Sequence, residues 1–204
     1  MMVKRKVRDA SKKSWKIGFA ELFDESLHYI SKQRRYIYAV ILMFFISSII
    51  AFFNSDSLSG FDKLLLEIYN KTDGLDFLEM LWFIFSNNTT SAITSMFLGV
   101  FFGIFPIFNA IFNGAILGYV YSKAVPIAGF GVIWRLLPHG IFELPAIFIS
   151  LGLGIHLGAS FFVKDKIKTF KYRFNKSLVT FLVVVLPLLM LAAIIESALI
   201  FFVG

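Results

Sequence analysis

Two ionisable residues, His139 and Glu143, lie in a long apolar run and are the first candidates for chemistry. Their spacing of i, i+4 puts both side chains on one face of a helix, one turn apart. A charged carboxylate near the centre of a membrane span costs about 2.5 kcal/mol or more, so such groups turn toward protein or trapped water and find partners. This cost makes both residues candidates for a functional site.

The composition of the chain is that of an integral membrane protein. Hydrophobic residues make up 58% of the 204 residues and charged residues only 16%, and the mean hydropathy is +0.78. A soluble chain carries about 25% charged residues and does not concentrate its apolar residues into runs of span length. There is no cysteine, so disulfides and thiolate metal sites are excluded.

The basic residues predict the topology. Lys and Arg cluster in residues 1–35 and 162–177, which flank apolar runs and should therefore be cytoplasmic. The net charge of +7 then indicates contact with anionic lipid headgroups and the bilayer rather than with nucleic acid. We predict an all-α protein of the cell membrane, in which a basic amphipathic segment, 1–35, precedes one transmembrane domain, 36–204. Its five spans, with the N-terminus inside and the C-terminus outside, are about 36–53, 89–105, 107–124, 138–161 and 178–203.

Local signals set the expected helix ends. An apolar stripe at helical spacing predicts an interfacial helix on the outer side at about 61–70; its members are Phe61, Leu64, Leu65 and Ile68. Asp76 and Glu79 have the spacing of a capping box, which predicts a second one at about 76–86. The polar run 87–90 offers N-cap residues for the second span. Pro106 marks a bend, Pro138 suits the first turn of the fourth span, and Pro187 interrupts the fifth.

Small residues predict where helices pack closely. Spacing of the small-xxx-small type allows neighbouring backbones to approach, and it occurs in three pairs of glycines. These packing glycines are Gly99 with Gly103, Gly114 with Gly118, and Gly154 with Gly158. Asn109 and Asn113 share one helix face, where an interhelical hydrogen bond is favoured over a ligand-binding role.

The predicted topology gathers the polar residues into one candidate pocket. Glu143 on the fourth span and Glu196 on the fifth both fall roughly 10 Å below the outer surface, by the rise of a helix. A pocket for a ligand or an ion would then include His139, Glu143, Glu196, Asn87, Asn88 and Asn113.

Three roles remain open for this pocket. The residues could crosslink helices, they could bind a proton, an ion or a small ligand during transport, or they could form a metal or acid–base site for intramembrane hydrolysis. The last is weakened because no second helical histidine lies in range. We assign no catalytic residue, no metal and no cofactor, and do not expect an enzyme.

Four stretches resemble the stage II sporulation protein M family of membrane proteins. They are Pro138–Ala146, Asn87-Asn88, Asn113–Gly118 and Ala192–Glu196, and they occur in the right order over nearly the whole chain. The resemblance implies a five-span protein with little outside the bilayer. It also implies a scaffold, since the family's named member is thought to hold cell-wall-degrading partners at the membrane. We therefore expect a non-enzymatic protein that anchors other membrane or envelope proteins and could form a homo-oligomer, with a permease-like transporter as the alternative.

Overall fold

The computed structural model describes residues 18–129 and 131–202, with the side chains of 132–139 left out. The described chain is helical and has no strand, which confirms the all-α prediction. The first seventeen residues of the predicted basic segment lie outside the described residues. The α-helices are α1 Phe19–Lys32, α2 Arg34–Phe53, α3 Gly60–Thr72, α4 Phe77–Leu98, α5 Ile104–Ala128, α6 Val132–Gly158, α7 Lys166–Thr180 and α8 Leu186–Phe202.

Four helical segments are long and apolar enough to cross a membrane. They are Arg34–Phe53, Ile104–Ala128, Gly140–Phe162 and Lys166–Phe202. The predicted second span, 89–105, is not among them, because its residues are divided between α4, a turn and the start of α5. The count of five spans and their orientation stay predictions.

Helix α4 corrects the first predicted boundary. The capping box at its start is present, since Asp76 accepts from the Glu79 amide at 2.9 Å and the Glu79 carboxylate accepts from the Asp76 amide at 3.0 Å. However, the helix then continues through 87–90, where the sequence predicted a break between an interfacial helix and a span. Ile84 and Ala92 are both buried on one face of α4, so tertiary packing carries the helix through a run of residues that favour caps.

The bend after α4 also differs from its prediction. The helix ends at Leu98, and the chain turns through 99–103, where Gly103 has φ +76°. Glycine adopts this left-handed conformation without a steric penalty. Pro106 follows the bend in the first turn of α5, where a proline costs no internal hydrogen bond.

Helix α6 begins earlier than predicted. Its first residue is Val132, so Pro138 is not in the first turn and the expected outer connection, 125–137, is reduced to Gly129–Gly131. Helix α5 continues through Pro126 and ends before Gly129, which has φ +68°. The conformational freedom of this glycine, rather than either proline, sets the turn.

The second basic block is a helix rather than a loop. Helix α7 begins at Lys166, and the helical segment runs on to Phe202, a length of 37 residues. A π-helical turn at Phe181–Val185 ends two residues before Pro187. A π-turn widens the helix locally, so the segment continues past a proline that lacks an amide donor. The predicted interruption of the fifth span is therefore a π-turn within one helical segment.

Glycines bring α2 and α5 into close contact. A Cβ atom at Gly118 would collide with the carbonyl group of Ser48, and one at Gly114 would collide with that of Phe44. Backbones that approach this closely gain dispersion energy over a long seam. A buried apolar cluster lies beside the seam and contains Ile37, Val40, Phe44, Ala110, Phe148 and Leu151.

A second close approach joins the turn after α4 to α6. A Cβ atom at Gly99 would meet the backbone of Gly154, and one at Gly158 would meet the backbone of Gly99 and Gly103. Helices α4, α6 and α8 contact one another in pairs and enclose the largest buried cluster. These contacts hold the elements that carry the candidate site.

Candidate functional site

Helices α6 and α8 bring together the two carboxyl groups that the sequence singled out. Glu143 and Glu196 lie near enough to interact electrostatically, and both side chains are half-buried. The two helices pack against each other, and α4 contacts both. We call Glu143 and Glu196 the carboxylate pair.

Helix α4 contributes amide groups on the side that faces the pair's helices. Ile84 belongs to the same buried cluster as Ala193 of α8, and the Ala92 carbonyl accepts from the Ser150 hydroxyl of α6 at 2.9 Å. Asn88 lies one turn from each of these α4 residues, on the same face, and is half-buried. Asn87 is exposed and donates to the Asn88 side-chain oxygen at 3.4 Å.

Asn113 takes part in a different contact. Its amide donates to the Asn109 carbonyl and to the Asn109 side-chain oxygen, both at 2.9 Å. Asn109 in turn donates to the Ser91 hydroxyl at 3.1 Å, which links α5 to α4. The interhelical hydrogen bond that the sequence favoured is therefore present, and Asn113 supports it.

Other residues limit which ligands the candidate site can bind. His139 lies in α6, but its side chain is outside the described part of the molecule, so its place in the pocket stays a prediction. Over the described ranges no group of three or more His, Asp or Glu side chains is arranged for a metal ion. Next to Glu196, Ser197 is completely buried and its hydroxyl has no partner among the described residues.

The environment of the carboxylate pair favours binding of a positive charge. Each of these carboxyl groups lies in apolar surroundings that solvate a negative charge poorly, and repulsion from its neighbour adds to the cost of charging Glu143. A proton or a cation bound between them relieves that repulsion. The arrangement therefore favours uptake of one positive charge.

A helix outside the candidate spans is fixed to the same end of the molecule. The Tyr119 hydroxyl of α5 donates to a carboxylate oxygen of Asp62 in α3 at 2.6 Å. A groove of about 390 Å³ lies beside this contact. Its lining residues are Ser57, Leu58, Gly60, Phe61, Leu64 and Phe112.

A polar cluster at the opposite end was not identified from the sequence. His156, near the end of α6, is only 6% exposed, and its carbonyl accepts from the Arg173 guanidinium of α7 at 2.7 Å. The basic block at 162–177 predicts a charged surface, and nothing in its sequence shows that the Arg173 side chain turns inward. We call the end where α1 packs against α7 the basic end.

These features together define a helical protein of the membrane type, with a polar cluster in its interior near each end. Residues 38–199 match the family model of Stage II sporulation protein M. The chain therefore belongs to this family, as its sequence motifs predicted. Neither the search of curated proteins nor the search of solved structures found a match.

Proposed function

We propose that this protein is a non-enzymatic scaffold that holds partner proteins at a cell membrane, with α3 as its docking platform. The observation that carries the proposal is the Tyr119–Asp62 hydrogen bond, which fixes an amphipathic helix outside the candidate spans. Phe61 reinforces this attachment, because its ring lies 5.6 Å from the rings of both Phe112 and Tyr119.

Two apolar side chains of α3 are exposed and available to a partner. Leu66 and Tyr69 are 59% and 61% exposed, whereas Leu64 is half-buried on the attached side. Contiguous exposed apolar residues outside a membrane span mark either a protein interface or contact with the bilayer surface. A scaffold role also agrees with what the family resemblance implies.

Photo-crosslinking in native membranes distinguishes these two occupants. A crosslinking residue placed at Leu66 or Tyr69 is expected to give one reproducible protein adduct, and the same residue at Leu64 is expected to give none. Adducts with lipid alone at Leu66 and Tyr69 would reject the platform. Mild-detergent purification should recover the crosslinked partner from the unmodified protein.

The carboxylate pair favours a second candidate function, proton- or cation-coupled transport. Both of its carboxyl groups lie in apolar surroundings, where a negative charge is costly, so binding of a proton or a cation lowers that cost. Purified protein in liposomes would be tested for proton or cation flux. The Glu143→Gln, Glu196→Gln double variant should abolish that flux, with Glu67→Gln on exposed α3 as the control. Unchanged flux in the double variant would exclude this function.

A further inference from the structure

Three helices meet around His156 at the basic end. The Arg173 guanidinium of α7 donates to the His156 carbonyl at 2.7 Å, and the Tyr29 hydroxyl of α1 donates to the Arg173 carbonyl at 3.5 Å. The rings of Tyr29 and His156 are 6.0 Å apart and meet edge to face. This arrangement closes the end of α6 and encloses the imidazole.

A second arginine approaches the same imidazole from α2. The Arg35 guanidinium lies over the Tyr36 ring at 4.6 Å and donates to the Tyr36 hydroxyl at 2.8 Å. The Tyr36 ring is 5.2 Å from the His156 ring. Arg173 of α7 therefore contacts the His156 backbone directly, and Arg35 of α2 is linked to the His156 ring through Tyr36.

No acidic side chain of the described residues compensates these arginines. Glu25 of α1 pairs with Lys176 of α7, and no described ion pair involves Arg35 or Arg173. Each guanidinium group has five N–H donors and uses only one of them in the hydrogen bonds described above. The cluster therefore contains two positive charges and several N–H donors that can bind a ligand.

Buried polar atoms with no protein partner lie in the same region. Within the described ranges they include His156 Nδ1 and the hydroxyl group of Ser160. Ser160 follows His156 in the turn after α6. Buried polar groups are normally satisfied, so atoms left without a protein partner mark a place where a ligand or water binds.

We propose that Arg35 and Arg173 bind a phosphate group at the basic end, with the His156 imidazole as a further contact. The planar guanidinium group matches phosphate oxygens in paired hydrogen bonds, and two of them supply the charge that a phosphate requires. Capping of α6 explains why Arg173 is present, but it leaves Arg35 and the buried polar atoms without a role. The phosphate belongs either to a lipid headgroup or to a free phosphate ion.

The test compares two neighbouring arginines in the full-length protein in neutral detergent. Arg34 and Arg35 are both exposed and adjacent at the start of α2, but only Arg35 contacts the cluster. Short-chain phosphatidylglycerol, inorganic phosphate and diacylglycerol with the same acyl chains are titrated separately while thermal unfolding is followed. Phosphatidylglycerol or phosphate should raise the unfolding temperature, and diacylglycerol should not.

The substitution Arg35→Gln is expected to raise the half-saturating concentration about tenfold, which corresponds to one lost charge-assisted contact. Arg34→Gln should leave it unchanged. Arg173→Lys, which keeps the charge but loses the paired donors, should also weaken binding, with circular dichroism confirming that the variant is folded.

Each outcome decides the proposal. A response to inorganic phosphate identifies a free-phosphate site, and a response to phosphatidylglycerol alone identifies a lipid headgroup; both support it. Equal weakening by Arg34→Gln and Arg35→Gln would reduce the effect to general surface charge and overturn the proposal. An equal response to diacylglycerol, or no response to either phosphate compound, would overturn it as well.

Discussion

The two ends of this molecule treat interior charge in opposite ways. At the basic end, Arg173 stabilises the fold, because its guanidinium group donates a hydrogen bond to the carbonyl of His156 near the end of α6. At the other end, Glu143 and Glu196 are brought together although their negative charges repel. The first cluster contributes to stability, whereas the second opposes it.

The difference separates structural from functional polar groups. A charged group that satisfies a helix end stabilises the protein without any ligand. A pair of like charges in an apolar bundle lowers stability, and such costs are concentrated at sites with a function. Substitutions at the two ends should therefore change stability with opposite signs.

The largest effect is expected for Arg173→Ala. It removes a hydrogen bond from a charged donor and leaves the His156 carbonyl without that partner, which should cost about 2–3 kcal/mol in the free energy of unfolding. Urea or thermal denaturation in detergent measures the change. Lys171→Ala, an exposed change on the same helix, is the control and should have little effect. An equally small effect for Arg173→Ala would show that the basic end is not held by this contact.

A smaller effect of opposite sign is expected for Glu196→Gln. This substitution removes the cost of a poorly solvated carboxylate at Glu196 and its repulsion of Glu143, while it keeps the shape of the side chain, so stability should rise by about 1 kcal/mol. The same denaturation measurement applies, with Glu67→Gln on exposed α3 as the matched control. A loss of stability would place Glu196 among the structural groups and remove the contrast between the two ends.

The smallest effect concerns Tyr29 and the pH dependence of the basic end. Burial of this side chain, above all, raises the pKa of its hydroxyl from the ordinary value of 10.0. A raised pKa in the folded state means that the neutral form stabilises the fold below pH 10, and that this contribution is lost as the pH rises through the folded pKa. Tyr29→Phe should therefore flatten the fall in stability above pH 10, while exposed Tyr38→Phe should not. Parallel curves for the two variants would contradict this assignment.

Short-range signals in the sequence were reliable where a few neighbouring residues settle the structure. The capping box at Asp76 and Glu79 is formed as predicted, because both of its hydrogen bonds lie within one turn. The proline and Asn-Thr signals failed as helix boundaries. Packing of Ile84 and Ala92 on one buried face outweighs the preference of 87–90 for a helix start, and a π-turn accommodates Pro187.

Part of the candidate site could also be anticipated. The cost of a carboxylate in an apolar span singled out Glu143 and Glu196, and the helix rise put them at similar depth. Asn113 was grouped with them, but its hydrogen bonds go to Asn109, and only the packing of α4 against α5 shows this. The cluster of Arg35 and Arg173 with His156 was missed because the two arginines lie in different basic blocks, and only the packing of α2, α6 and α7 links them to the same histidine.

The sequence by itself determined the all-α class, the membrane character, the family and the residues whose burial is costly. Composition and periodicity determine the class and the membrane character, since these depend on the average environment of each segment. The family rests on the four stretches that resemble it. Tertiary structure alone decided where α4 ends, where α6 begins, which helices are neighbours, and which charges meet. These outcomes depend on side chains far apart in the chain, whose packing energies exceed the local preferences of caps and prolines.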